Sequence, residues 1–379
     1  MAKKRPPNIL IVDDTPASQQ SMIDGFPPFL SACFKVRGPS KVKLSDLKEA
    51  HLVLVDYNLD QWVENAAAEN LCQHIPNGLP LAAILQQRTT ANSHAVAFAI
   101  HSAHLPELTA PFKLEPRIHL LSRSCNVDWA FEKDTGPDKV ETYGLVKKLA
   151  EAVQSLPASW PPNNPSKTRG AARKLLGLDE SVAWTDQAWG EVERAVPPLD
   201  ELVQRIHGLL FLRWLLQRVL PYPSFLLDAH WLAARLGATP TSVSEALTGK
   251  LGKLLAPANY TGLLHDVRGP RWWRTGLEVT LWGLGGGKPL GTDDLHDVLK
   301  TKQVKLDKAD FPHPVVCLDE DLQPLPDFAD SNTAIRIQPD DWPSYADAAW
   351  TTLTLAHQHP RLASMVVEVD RYRLENEKV

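Results

Sequence analysis

The first third of the chain is built from apolar runs that stop on polar residues. Ile9-Leu10-Ile11-Val12 stops on Asp13-Asp14, and Leu52-Val53-Leu54-Val55 stops on Asp56. Ala95-Val96-Ala97-Phe98-Ala99-Ile100 stops on His101-Ser102, and Val127–Glu132 stops on Lys133. A strand wet on one face alternates polar and apolar residues; runs this continuous fit strands covered by helices on both faces of a parallel sheet. In such sheets the functional site lies beyond the carboxyl ends of the strands. The polar stops, far apart in sequence, are therefore expected to converge.

Later segments follow other periods. Asp138–Leu156 reads as an amphipathic helix, with Val140, Tyr143, Val146, Leu149 and Val153 at helical spacing. Pro157–Ser166 is too rich in proline for helix or sheet. These patterns predict an α/β domain over 1–156, a semi-stiff linker over 157–167, and a tryptophan-rich, mostly helical α+β domain over 168–379. In that last part Leu199–Leu220 is predicted to be one central helix, ended by Pro221-Tyr222-Pro223. Strands are predicted at Pro314–Leu318, Ala334–Ile337 and Met365–Val369, and a helix over Asp341–His357.

The series Asp13-Asp14, Asp56, Ser102, Lys133 resembles the receiver domain of two-component response regulators. The resemblance covers roughly residues 6–156, and its strongest parts are ILIVDD-TP and LVLVD-YN. It implies a flavodoxin-like, doubly wound five-stranded parallel sheet. It makes Asp56 the phosphoacceptor. It implies Mg2+ as cofactor, held by Asp13, Asp14, the Asp56 side chain and the backbone carbonyl of Asn58. Ser102 takes the family's hydroxyl position and Lys133 its lysine position. The implied partner is a histidine kinase or phosphotransfer protein in the cytoplasm. The implied role is that of a signalling phosphoprotein, not an enzyme beyond its own phosphorylation and dephosphorylation.

The chemistry of these residue types agrees. Crowded carboxylates repel one another, and a hard cation with oxygen ligands relieves the repulsion. A carboxylate is a competent nucleophile toward a phosphoryl group. The Lys133 ammonium and the Ser102 hydroxyl suit the charge spread over the transferred oxygens.

Departures from the family pattern are local. The Asp56–Ser102 separation is long, with the excess in Gln61–Pro76, which holds Trp62, Cys72 and His74; Asn77-Gly78 then opens the next helix. Such an insertion is a lid, a partner surface or a tolerated loop. Further extra residues fall around Leu105–Pro116. Lys133 is followed by Asp134 instead of proline. The aromatic-switch position is Ala130, flanked by Trp129 and Phe131. His104 stands where family members tune the access of water.

The second domain is expected to carry the output. His230–Leu247 resembles a helix-turn-helix, with Ala233 at the close contact, Gly237 at the turn and Thr239 or Thr241 capping the second helix. Its would-be recognition helix carries Glu245 and no arginine, although Lys250 and Lys253 follow. A structural hairpin or partner-binding element is favoured over a DNA-binding transcriptional regulator using 231–247. A phosphate sink or adaptor in a phosphorelay is a further alternative. Arg268–Arg274 interleaves arginines with Trp272-Trp273, either to recognise an anionic partner or to send the indoles into the core, the second being favoured. RGPRWWRTGLE and IQPDDWPSYADAAW resemble uncharacterised domains attached to bacterial receivers, some of them in phage defence. Gly283–Pro289 lacks phosphate-loop spacing. Thr292 with Asp293 and Asp294 reads as a capped helix start.

Composition narrows the picture further. With 379 residues, 44% hydrophobic and 22% charged, the chain has material for two or three domains with real cores. A net charge of −5 provides no global basic field for nucleic acid or membranes. No apolar stretch approaches the roughly 20 residues of a spanning helix. Cys33, Cys72, Cys125 and Cys317 fit neither a zinc pattern nor a disulfide framework. A homodimer is compatible with the apolar 199–220 segment.

Overall fold

The apolar runs form the centre of a five-stranded sheet. In chain order the elements are β1 (Ile9–Val12), α1 (Pro16–Asp24), α2 (Pro28–Ser31), β2 (Phe34–Arg37), α3 (Leu44–Glu49) and β3 (Leu52–Asp56). Then come α4 (Val63–Ala66), α5 (Gly78–Arg88), β4 (Ala97–Ser102), α6 (Ile118–Ser124), β5 (Trp129–Glu132), α7 (Lys139–Gln154) and α8 (Pro165–Leu175). The computed structural model describes residues 5–67, 74–89, 94–103, 105, 117–133, 139–160, 164–203, 207–267 and 269–377. Cys72, His104, Asp134, Arg268 and nearly all of Leu105–Pro116 lie outside the described residues.

The strand order is β2-β1-β3-β4-β5, and every pairing is parallel. Every residue of β1 and β3 is buried, which explains the absence of alternation in their sequences. Leu10, Val12, Val53, Val55, Phe98 and Ile100 share one core with Leu47 of α3 and Leu81 and Leu85 of α5. Strand residues of the other parity point the opposite way. On that side the His101 ring meets Tyr143 of α7 edge-on, with centroids 5.5 Å apart. Each fully buried aliphatic side chain here contributes about 2 kcal/mol of transfer free energy.

The chain divides into two compact units. The first runs to Leu175 and takes in Pro197–Pro221; the second holds Leu176–Val196 and Tyr222–Val379. Within the first, the segment predicted as one helix over Leu199–Leu220 is instead a short helix Leu199–Leu202, a helix Leu209–Trp214 and a π-helical turn Leu215–Val219. Gly208 precedes the second helix because the Trp160 indole sits against it: a methyl group there would lie 2.8 Å from Nε1. Trp160, from the proline-rich segment, is itself buried beside Phe211.

This returning segment grips the start of β5. Arg213 Nε donates to Asp128 Oδ1 at 2.5 Å, and its Nη1 donates to Asn126 Oδ1 at 3.2 Å. Gln217 Nε2 donates to the carbonyls of Val127 and Asp128 at 2.9 and 3.0 Å. Asp128, wholly buried, also accepts the Phe98 N–H at 2.7 Å.

The second unit combines helices with a mixed sheet. Its strands are β6 (Leu226–Leu227), β7 (Trp272–Trp273), β8 (Pro314–Leu318), β9 (Pro324–Asp330), β10 (Ala334–Ile337) and β11 (Ala349–Thr352). β6 and β7 pair with each other, and the rest form a sheet of order β10-β11-β8-β9. The predicted strands at Pro314 and Ala334 are present. The predicted helix over Asp341–His357 is not: β11 takes its middle, and Thr352 caps a helix only from Leu353 to Gln358. The predicted strand Met365–Val369 is a junction between helices Pro360–Met365 and Glu368–Asn376, with Val366 alone bridging Ile337.

The helical hairpin is present. Helix Ala229–Leu236 ends at Gly237 in the left-handed region, φ 60°, and Thr239 caps helix Pro240–Leu247. Thr241, Ser244 and Glu245 are exposed on that second helix. Trp272 and Trp273 enter the core as β7. Arg274 opens the following helix and pairs with Asp347 at 2.6 Å and Glu191 at 3.1 Å. The helix at Thr292 is preceded by Gly291 at its cap, without a side-chain cap bond, because Thr292 is already its first residue. Among the described residues no helix is long and apolar enough to cross a membrane, and Cys33, Cys125 and Cys317 are free thiols.

Candidate functional site

Register explains why distant residues meet. Val12 pairs with Val55, so Asp13 and Asp56 leave adjacent strands side by side. Asp56 pairs with His101, and His101 with Phe131. Lys133 is two residues beyond Phe131 and shares its parity. Asp13, Asp56 and Lys133 thus reach the same corner of the carboxyl edge.

Oxygen atoms of Asp13, Asp14 and Asp56 lie within 4.8 Å of one another. Lys133 Nζ stands 2.6 Å from Asp56 Oδ2 and 3.0 Å from Asp13 Oδ2. The Ser102 carbonyl accepts the Lys133 N–H at 2.6 Å, tying the end of β4 to the lysine. Ser102 itself is buried at the end of its strand. Asn58 is exposed on the loop two residues beyond Asp56.

Sequence reasoning did not find the groups that steady this corner. Thr15 donates both its N–H, at 2.8 Å, and its hydroxyl, at 2.6 Å, to Asp13 Oδ1. The Gln61 N–H donates to Asp14 Oδ2 at 2.6 Å. Thr15 was legible as the residue two after an aspartate at a strand end, where such a turn bond forms. Gln61 was not, because a backbone donor leaves no mark on residue type. Behind the carboxylates, the buried Gln19 side chain donates to the Tyr143 hydroxyl, and the His101 ring is sealed from solvent. Ala130, before the end of β5, packs with Leu105 and Leu121.

The electrostatics follow from burial against pairing. Burial, opposed by Lys133 and reinforced by the neighbouring aspartates, pushes the Asp56 carboxyl up to about 7. Burial also works against ionised Asp13, but the Thr15 hydrogen bonds and Lys133 hold it below the ordinary value. Asp14 is raised by burial and by repulsion from Asp13, against the Gln61 N–H. Burial disfavours the Lys133 charge, yet contact with Asp56 and Asp13 raises its pKa. Burial, with repulsion from Lys133, pushes His101 down to about 3, so its ring is neutral.

With all three carboxylates ionised, Lys133 leaves the corner two negative charges in excess. At these separations each like-charge pair costs about 3 kcal/mol at an intermediate effective dielectric. The donor set is all oxygen, compact and anionic, so it fits a hard divalent cation such as Mg2+. No protein-family model, curated protein or solved structure matches the chain.

Proposed function

We propose that the first unit is a receiver domain of the response-regulator type, flavodoxin-like in topology, which accepts a phosphoryl group on Asp56. The observation that carries this reading is the single ammonium of Lys133 in contact with both Asp56 and Asp13, inside a trio of carboxylates. The strand order with its reversal beside β1 and β3 supports it, since a doubly wound sheet binds ligands at such a point.

Asp56 is the nucleophile because it ends the strand next to that switch point and is the carboxylate Lys133 approaches most closely. Its oxygen forms a P–O bond as the P–N bond of a phosphohistidine donor breaks, and the donor imidazole leaves. Lys133 is placed to neutralise charge on the transferred oxygens. Ser102, at the end of β4, is the hydroxyl proposed to join it. Asp13 and Asp14, with Asp56 and the Asn58 carbonyl, are the proposed holders of Mg2+. Bound there, the cation would supply charge neutralisation for the incoming phosphoryl group.

The second unit is the proposed output. Phosphorylation replaces a carboxyl by a group of larger negative charge, and its effect is to shift the population of one interaction state over another. The helical hairpin is proposed as a protein-binding or structural element, since its exposed second helix carries Glu245 and no arginine. The test is incubation with a small acyl-phosphate donor and Mg2+, followed by intact mass. One added phosphoryl group is expected, lost in Asp56→Asn and retained in Asp60→Asn. Equal labelling of the Asp56→Asn protein, or none of the wild type, would overturn the assignment.

A further inference from the structure

The stretch after β3 is tied to the acidic corner at Gln61 and is itself held by further hydrogen bonds around it. Gln61 gives its backbone N–H to Asp14 Oδ2 at 2.6 Å. The next residue, Trp62, donates its indole Nε1–H to Ser40 Oγ at 2.7 Å, on the loop after β2. The Trp62 ring also packs against the core that contains Leu47 of α3 and Leu81 and Leu85 of α5. Three residues on, Asn65 is buried and uses both ends of its amide on one partner. Its Nδ2 donates to the Ile75 carbonyl at 2.8 Å, and its Oδ1 accepts the Ile75 N–H at 2.7 Å. The chain then rejoins the sheet at Gly78, where a methyl group would lie 2.0 Å from the Asp56 carbonyl oxygen. Gly78 N–H donates to the Tyr57 carbonyl at 2.8 Å.

Such fastening has a consequence for Asp14. A half-buried carboxylate at the edge of a site samples several rotamers, and ordering it on cation binding costs conformational entropy. Here one oxygen is already held by a main-chain N–H whose position depends on the side chain next door. A ligand oriented before the cation arrives binds it more tightly, because the ordering cost is met in folding.

We propose that Trp62 and Ser40 are positioning residues for the divalent cation: their hydrogen bond sets the Gln61 N–H against Asp14, and Asn65 fixes the base of the same strap. This rests on the reading of Asp13, Asp14 and Asp56 as a cation site. Neither Trp62 nor Ser40 touches the carboxylates in the described hydrogen bonds, so both act through the Gln61 backbone.

The test is calorimetric titration of the full chain with Mg2+ alone, without phosphodonor. Ser40→Ala and Trp62→Phe each remove one end of the same bond and are expected to weaken Mg2+ binding by about three- to tenfold, the usual worth of one such bond. The double variant is expected to bind no more weakly than the weaker single one, since both remove one interaction. Ser40→Thr, which keeps the hydroxyl, is expected to restore wild-type affinity. Ser40 is exposed, so its alanine variant keeps the inference testable should Trp62→Phe fail to fold. Unchanged affinity in Ser40→Ala, or additive losses in the double variant, would sink the positioning role alone. Absence of Mg2+ binding by the wild type would sink the cation site beneath it as well.

Discussion

Asp56 holds its proton to unusually high pH, and this has a measurable cost. Its folded pKa is about 7 against an ordinary 3.8, so folding favours the protonated form. Its contribution to stability is fully present below about pH 4 and is lost as pH rises through 7. Without divalent cations, the stability advantage of Asp56→Asn over wild type, followed by thermal unfolding, is expected to widen from pH 5 to pH 8, towards on the order of 2–4 kcal/mol. Added Mg2+ should close that gap, because it binds the ionised wild-type site and not the amide. A gap independent of pH would show that burial of Asp56 carries no such penalty. Cation affinity itself should fall as the pH drops below about 7, since a ligand carboxylate must first lose its proton. Most of this corner was legible in the sequence. A parallel strand covered on both faces reads as an unbroken apolar run, and its first polar residue marks the edge where chemistry collects. The supporting donors were less legible: the Gln61 N–H and the sealed His101–Tyr143 pair depend on neighbours that sequence spacing does not reveal.

Elements read well where one physical rule dominated and badly where several competed. β2, Phe34–Arg37, was missed because it is an edge strand whose lysine and arginine break the apolar pattern. β9 was missed for a related reason: it is an edge strand with prolines at 324 and 326, which an edge tolerates and a central strand does not. The 199–220 segment is apolar on more than one side because many of its residues, among them Leu202, Phe211, Leu212 and Leu215, are buried, and burial alone does not require a continuous helix. Its grip on β5 can be tested. Arg213→Met leaves the fully buried Asp128 without its cation, and is expected to lower stability by about 3 kcal/mol in urea unfolding. Replacing a partly exposed ion pair on the surface, such as Lys300 with Asp297, should cost well under 1 kcal/mol by the same assay. Similar losses for the two changes would show that the Asp128 pairing adds nothing special.

At the scale of the molecule, the chain passes between its two units three times. It leaves the first after Leu175, returns at Pro197 and leaves again after Pro221. No contiguous fragment therefore contains either unit without part of the other. A fragment ending at residue 175 loses Phe211 from beside Trp160, and Arg213 and Gln217 from around Asp128. It is expected to unfold without a cooperative transition, whereas a fragment ending at residue 221 regains one in a thermal scan followed by circular dichroism. Cooperative unfolding of the shorter piece would show that the returning segment is dispensable. The proline-rich stretch looks like a boundary in sequence because composition reports local stiffness, while the crossings depend on which residues pack together.

β5 is anchored at both ends. At its entry Asp128 and Val127 are clasped by the segment that leads out at Pro221, and at its exit Lys133 leans on Asp56. Between them lie four residues, a strut roughly 13 Å long at the usual rise of an extended chain. Its length is consequently a tolerance of the whole assembly: remove one residue from it, and no sliding of the strand can keep both moorings fast.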